Sequence, residues 1–178
     1  MEPQTSKVAM IVYDYFEQAE MEDVRTLLQQ AGCEVDLIAP DKTEVHGLHH
    51  VEIGDTFDVD VQLKDAEPEI YDAVVLPGGT VNADQLRIVP DALNFVESMY
   101  NSGKTVAAIC HAPWMLVSLG IVEGKTLTSY PTLKDDIQNA GGYWVNQEVT
   151  TDGVLITSRN PDDIPAFAAA IADSIALS

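Results

Sequence analysis

Short apolar runs alternate with stretches of helical period along almost the whole chain. Lys7–Val12, Glu34–Ile38, Asp72–Leu76 and Thr105–Ile109 are brief, apolar and partly β-branched, which predicts buried strands. Glu20–Ala31 and Asp91–Ser102 carry apolar residues at helical spacing, and Gly32 and Gly103 follow them as stop signals. Pro113–Leu119 reads as a short helix, with proline in its first turn and Gly120 at its end. "TLTSY" and then "TLKDDIQNAGG" add one more strand and helix, and "IPAFAAAIADSIALS" closes the chain as an amphipathic packing helix. The repeated strand–helix order predicts an α/β fold with a mostly parallel sheet covered on both faces. Two segments break the alternation. "EVHGLHHVEIGDTFDVDV" and "WVNQEVTTDGVLITSR" have alternating apolar positions, and the second contains an Asp-Gly turn, so both are expected to be β-hairpin insertions.

No repeat, linker or low-complexity tract interrupts residues 1–178, and 178 residues suffice for one compact domain with a sizeable core. Nine Lys and Arg stand against 29 Asp and Glu, a formal charge of −20. With no basic surface to neutralise phosphates, nucleic acid and anionic membranes are excluded as partners. The N-terminal apolar run, Val8 to Tyr13, is too short and too closely flanked by acids for a signal peptide or a membrane span. The two cysteines, Cys33 and Cys110, lack CxxC spacing and form neither a disulfide framework nor a zinc site, so the expected compartment is the cytoplasm.

Candidate chemistry collects where strands end. Cys110 follows the strand Thr105–Ile109 with almost no loop before the next helix, and the small residues Ala108 and Ala112 flank it. That is the pattern of a nucleophile elbow, whose tight turn lifts a side chain above the sheet. A helix start beside the sulfur is expected to favour thiolate over thiol. Cys33, at the start of an edge-type strand, reads as structural. His111 next to Cys110 either relays protons or supplies its backbone N–H to an oxyanion hole. "LPGG", ending at Gly78 and Gly79, is either a tight turn or a close backbone approach to a carbonyl oxygen. In "FEQAEM", Glu17 and Glu20 start a helix and complement its dipole. Alternatively Glu17, nearest the strand end, enters the cleft, where burial and a neighbouring thiolate would raise its proton affinity. His46, His49 and His50 form a cluster that no further ligand pattern completes, so no metal is expected.

"FEQAEM", "LPGG", "AAICHAPW", "LTSYPTLKDDIQNAGG" and "ITSRNPDDIPAF" occur in an order that resembles the ThiJ/PfpI family, in particular its PfpI-like intracellular branch, from about Val8 to Phe167. The resemblance implies a flavodoxin-like three-layer α/β/α sandwich of the class I glutamine amidotransferase-like group. It implies Cys110 as nucleophile, Glu17 as the protonated acid beside it, and an oxyanion hole formed by Gly79 and His111. In the branch, an acidic residue after the paired glycines reaches a neighbouring subunit's histidine, and Asp84 is the positional match in "GGTVNADQLR". Tyr130 is either a lip of the pocket or a packing residue at the sheet edge.

Members of the family are described as cysteine peptidases, glutathione-independent glyoxalases, deglycases and stress proteins. The expected activity is therefore that of a cofactor-free cysteine enzyme acting on a small aldehyde such as methylglyoxal, or on early glycation adducts, through a Cys110 hemithioacetal. Peptide hydrolysis through an acyl-enzyme is the second reading, and a redox sensor or holdase without turnover the third. The sequence shows no long insertion to build a peptide cleft, and Trp114, Tyr130 and the two hairpins are expected to wall a tight pocket. A homodimer or an assembly of dimers is expected.

Overall fold

The computed structural model describes residues 5–176. Its first half contains β1 (Lys7–Ile11), β2 (Phe16–Glu17), α1 (Gln18–Gln30), β3 (Glu34–Ala39), β4 (Glu44–His49), β5 (Glu52–Asp58), β6 (Val61–Gln62), β7 (Ala73–Leu76) and α2 (Thr80–Leu86). The second half continues with α3 (Pro90–Asn101), β8 (Thr105–Ile109), α4 (Pro113–Leu119), β9 (Thr126–Leu127), α5 (Lys134–Asn139), β10 (Tyr143–Trp144), β11 (Val149–Asp152), β12 (Leu155–Ser158) and α6 (Ile164–Ala176).

The central sheet has seven strands in the order β11-β12-β8-β7-β1-β3-β6, parallel throughout except for β11. Alternate residues of β1 divide the core. Val8 and Met10 pack in the layer of α1 and α6 with Met21, Val24, Leu28, Phe167 and Ile171. Ala9 and Ile11 pack in the opposite layer with Phe95, Val96 and Met99 of α3 and Leu116 of α4. The result is the three-layer flavodoxin-like sandwich that the strand–helix alternation and the family resemblance predict. Among the described residues, no helix is long and apolar enough to cross a membrane.

Three local expectations are revised. The segment Trp144–Arg159 does contain an antiparallel hairpin, but it is no insertion, because β12 pairs in parallel with β8 and extends the central sheet. "TLTSY" is strand only at Thr126–Leu127, which pairs with β10 in a separate two-stranded sheet. Beyond it the chain turns inward, as Tyr130 N–H donates to the Cys110 carbonyl at 2.8 Å. Helix α2 has no counterpart in the hydrophobic pattern, since Val81, Ala83 and Leu86 are its only apolar residues.

The first hairpin is an insertion as expected. β4 and β5 form a small sheet with β2, apart from the central one. Buried Gln18 of α1 clamps it: Nε2 donates to Asp55 Oδ2 at 2.8 Å and Glu22 Oε2 at 3.0 Å, and Oε1 accepts from Asp55 N–H at 2.8 Å. Gly47 and Gly54 leave the room this amide occupies, because a Cβ on Gly54 would collide with Gln18 Oε1 and one on Gly47 would lie 2.9 Å from Gln18 Cβ. Gly54→Ala is therefore expected to break the clamp, costing about 1–3 kcal/mol for the buried polar groups left unpaired. Amide hydrogen exchange should quicken across residues 44–58 while β8 keeps its protection. Uniform exchange rates in both regions would show that the clamp does not hold the hairpin.

Candidate active site

The chain runs from β1 to β3 on one side of the sheet and to β7 and β8 on the other, so the order reverses between β1 and β7. Crevices beyond the carboxyl ends of parallel strands open at such a reversal. Here the ends of β1, β7 and β8 bring together residues far apart in sequence: the Tyr13–Gln18 turn, the Pro77–Gly79 loop and Cys110.

Cys110 has φ +65°, in the left-handed region that costs a non-glycine residue about 1–2 kcal/mol. Its backbone is pinned on both sides, Cys110 N–H donating to Ser158 O at 3.0 Å and Cys110 O accepting from Tyr130 N–H. The elbow is thus held by the strand beside it and by the loop beyond β9. Backbone N–H groups of Gly79 and His111 reach its sulfur. Gly78 permits the approach, since a Cβ there would lie 2.7 Å from both Cys110 Cβ and Ile109 O. Gly79 has φ +90°, and a Cβ on it would meet Glu17 N at 2.6 Å. Fully buried Asn82 staples this loop, with Nδ2 donating to Pro77 O and Gly78 O at 2.9 Å and Oδ1 accepting from Tyr13 N–H at 2.6 Å.

His111 presents Nδ1 to the Cys110 sulfur at 3.1 Å. Its ring stacks on Tyr130 with centroids 4.6 Å apart, and Trp114 meets it edge-on at 5.2 Å. Nε2 faces the hydroxyls of Thr80 and Thr132, each at 3.4 Å. Burial holds the imidazole below its ordinary pKa, which favours the neutral form that accepts a proton.

The carboxyl against the sulfur belongs to Glu20, correcting the expectation for Glu17. β2 draws Glu17 into the hairpin sheet, where its carboxylate accepts from His50 N–H at 3.1 Å. One turn later, Glu20 is fully buried and Oε1 accepts from Gly78 N–H at 3.0 Å. Burial, reinforced by the charge of Glu17, pushes Glu20 up to about 8, against the pull of the Gly78 N–H and of a hydrogen bond with Cys110. The signal was available in the sequence: Glu20 stands four residues before Val24 and eight before Leu28, on the buried face of α1.

The expectation of an acidic thiol is corrected too. Burial first, and the charge of Glu20 second, push the Cys110 thiol up, and the Gly79 and His111 N–H groups only partly oppose them. The helix start gives little help because its N–H groups are occupied: Trp114 N–H donates to His111 O and Met115 N–H to Ala112 O, each at 3.1 Å. Cys33 is half-buried and its thiol is likewise raised by burial.

Around the sulfur opens a cleft of about 1010 Å³. It is wider than the tight pocket expected. Tyr130, His49, His50 and Val51 line it, the last three from the tip of the first hairpin, and Asn160–Asp162 line it from beyond β12. The strands of the second hairpin do not, and Trp114 and Gly78 sit behind the surface, supporting His111 and Glu20. Asp84 is exposed on α2 and does not line the cleft. Among the described residues, no group of three His, Cys, Asp or Glu side chains is arranged to hold a metal ion.

The model of the DJ-1/PfpI family matches residues 6–174. A protein from Pyrococcus abyssi named a deglycase is 37% identical over 161 residues, covering 90% of this chain and 94% of the relative. Protein/nucleic acid deglycase 2 of Escherichia coli is 35% identical over 164 residues, covering 92% and 94%. Among solved structures, Drosophila melanogaster DJ-1beta superposes with a TM-score of 0.89 at 29% identity, over 98% of this chain and 92% of that one.

The buried acid has a measurable signature. Glu20 goes from an ordinary value of 4.5 to about 8 on folding, so between these values the folded chain binds the extra proton. Its contribution to stability is therefore present below about 4.5 and lost as pH rises through about 8. Glu20→Gln removes that slope, and its melting temperature relative to wild type should climb from about pH 5 to about pH 9. Parallel melting curves over that range would mean that Glu20 is ionised throughout.

Proposed function

The chain belongs to the DJ-1/PfpI family, and from that premise we propose that it is a cysteine-dependent enzyme of the deglycase and glutathione-independent glyoxalase type. The observation that carries the reading is the surround of the Cys110 sulfur: two backbone N–H donors, a buried protonated carboxyl, and a neutral imidazole nitrogen 3.1 Å away. A raised thiol needs a base at the moment of attack, and His111 Nδ1 is placed to accept its proton.

With methylglyoxal, sulfur adds to the aldehyde carbon and the carbonyl oxygen gains a proton, giving a hemithioacetal. Removal of the proton on that carbon and return of a proton to the neighbouring carbonyl carbon, while the hydroxyl proton passes to the neighbouring oxygen, with Glu20 and His111 as carriers, converts it to the thioester of a 2-hydroxy acid. Water then cleaves the thioester, releasing lactate and the free thiol. With a glycated amine, breaking the C–N bond of the hemiaminal releases the amine and delivers the aldehyde to the same sulfur. The developing oxyanion lies beside the Gly79 and His111 N–H groups.

Two observations weigh against peptide hydrolysis within a single chain. His111 Nε2 faces hydroxyls where a triad would place a carboxylate, and Asp84 lies outside the cleft. Asp84 serves the family's role only across an interface, so a homo-oligomer goes with that arrangement. Exposed Val81 and Ile88, close to it in sequence, are apolar surface suited to such a contact.

Wild type is expected to form lactate from methylglyoxal. Cys110→Ala should abolish the reaction, and Glu20→Gln should slow it by about 10²-fold or more while removing an alkaline limb near pH 8. Lactate formation that survives Cys110→Ala would overturn the reading, as would Cys110-dependent proteolysis without aldehyde turnover. Sedimentation should show a homo-oligomer at micromolar concentration. A fully active monomer would remove Asp84 from the site.

A further inference from the structure

We propose that Asn82 is a positioning residue, whose side-chain amide fixes the two peptide planes that aim N–H groups at the Glu20 carboxyl and the Cys110 sulfur. Its effect on turnover rests on the cysteine-enzyme reading above, and its effect on the proton affinities of the two groups is independent of that reading.

Asn82 is the third residue of α2 and is fully buried, on the face that also buries Ala83 and Leu86. An amide withdrawn from water costs free energy unless its polar atoms are paired. Here Nδ2 donates to Pro77 O and to Gly78 O, each at 2.9 Å, and Oδ1 accepts from Tyr13 N–H at 2.6 Å. Two carbonyls and one N–H around the same point call for two donors and an acceptor on one short side chain, which asparagine supplies. An ionised aspartate has the same shape and no proton to offer the carbonyls.

The carbonyls it holds are the far edges of the two peptides that serve the site. Among the described residues no peptide bond is cis, so the C=O and N–H of one unit point in opposite directions. Pro77 O shares its plane with Gly78 N–H, which donates to Glu20 Oε1 at 3.0 Å. Gly78 O shares its plane with Gly79 N–H, which reaches the Cys110 sulfur. Drawing both oxygens toward α2 therefore turns both N–H groups toward the reacting pair. Glu17 N–H also donates to Gly78 O, at the longer distance of 3.2 Å.

A restraint is needed because glycines flank the second plane. Gly79 already has φ +90°, and without side chains the peptide between Gly78 and Gly79 turns over at little steric cost. Once turned over, it would direct an oxygen at the sulfur. The effect on proton affinity has a definite sign. Burial, then the charge of Glu17, raises Glu20, and the Gly78 N–H opposes them. Burial, then the charge of Glu20, raises Cys110, and the Gly79 and His111 N–H groups oppose them. The titratable groups facing Glu20 are Glu17 of β2 and Cys110 at the end of β8. With the planes released, both Glu20 and Cys110 become weaker acids.

Asn82→Ala removes all three bonds, and Asn82→Ser, which keeps one donor, is measured beside it should the alanine variant not fold. Alkylation of Cys110 by iodoacetamide at about pH 8 should slow by about tenfold or more, the loss expected for one donor to a charged group. A purely structural Asn82 predicts the reverse, since a loosened site exposes the sulfur. Glu20→Gln is then compared with its parent in the wild-type and Asn82-substituted backgrounds. Its climb in relative melting temperature ends at about pH 9 in the first and should end about one pH unit higher in the second, as folded Glu20 is pushed further up. With methylglyoxal, kcat should fall by about 10²-fold, as on loss of an oxyanion donor. Faster alkylation, or a climb that ends at the same pH in both backgrounds, would overturn the positioning role. A wild type that forms no lactate would overturn the functional reading alone, because alkylation and melting still judge Asn82.

Discussion

Glu20 and Cys110 are buried against each other at the floor of the cleft, and two anions there would repel at a separation where the protein screens poorly. At neutral pH both groups therefore keep their protons, and the surrounding backbone is organised around that requirement. Gly78 offers an N–H to the carboxyl and a bare Cα to the sulfur, a dual service no residue with a side chain could perform in that space. Asn82 holds the loop in register with β1 through hydrogen bonds to two carbonyls and one N–H. The left-handed backbone at Cys110 is tolerated because β12 and the segment after β9 bind it on either side.

Most of this architecture is legible in the sequence, and the misses have physical causes. β8 and α4 are bounded correctly because the apolar run, the proline and the glycine all mark the same limits. The placement of Cys110 at a sharp turn follows from that junction alone. Glu17 is a natural misreading for Glu20, because proximity in sequence to a strand end competes with helical phase, and phase wins once α1 begins at Gln18. Helix α2 is obscured by its polar composition, although Asn82 makes it part of the site. The thiol's proton affinity depends on which N–H groups of the first turn are already spoken for, and no linear pattern records that.

The site thus has two kinds of parts. Cys110, His111, Glu20 and the glycine loop sit on the ends of central strands and on the first turn of α1, where packing on both faces fixes them. The wall facing them comes from the hairpin tip and from the loop after β12, both at the periphery. Chemistry and recognition are consequently supported by different elements, and a change in one need not disturb the other.

The small sheet of β2, β4 and β5 gives that division an evolutionary reach. It shares no strand with the central sheet and is fastened to α1 through the Gln18 amide, through Val45 and Phe57 packed in the layer of α1, and through Arg25 over the Phe57 ring. A lineage could lengthen, shorten or recharge the tip between His49 and Glu52 without re-solving how the core packs. The hairpin is in that sense an exchangeable faceplate over a fixed lock, and diversification within such a fold would be expected to accumulate there first.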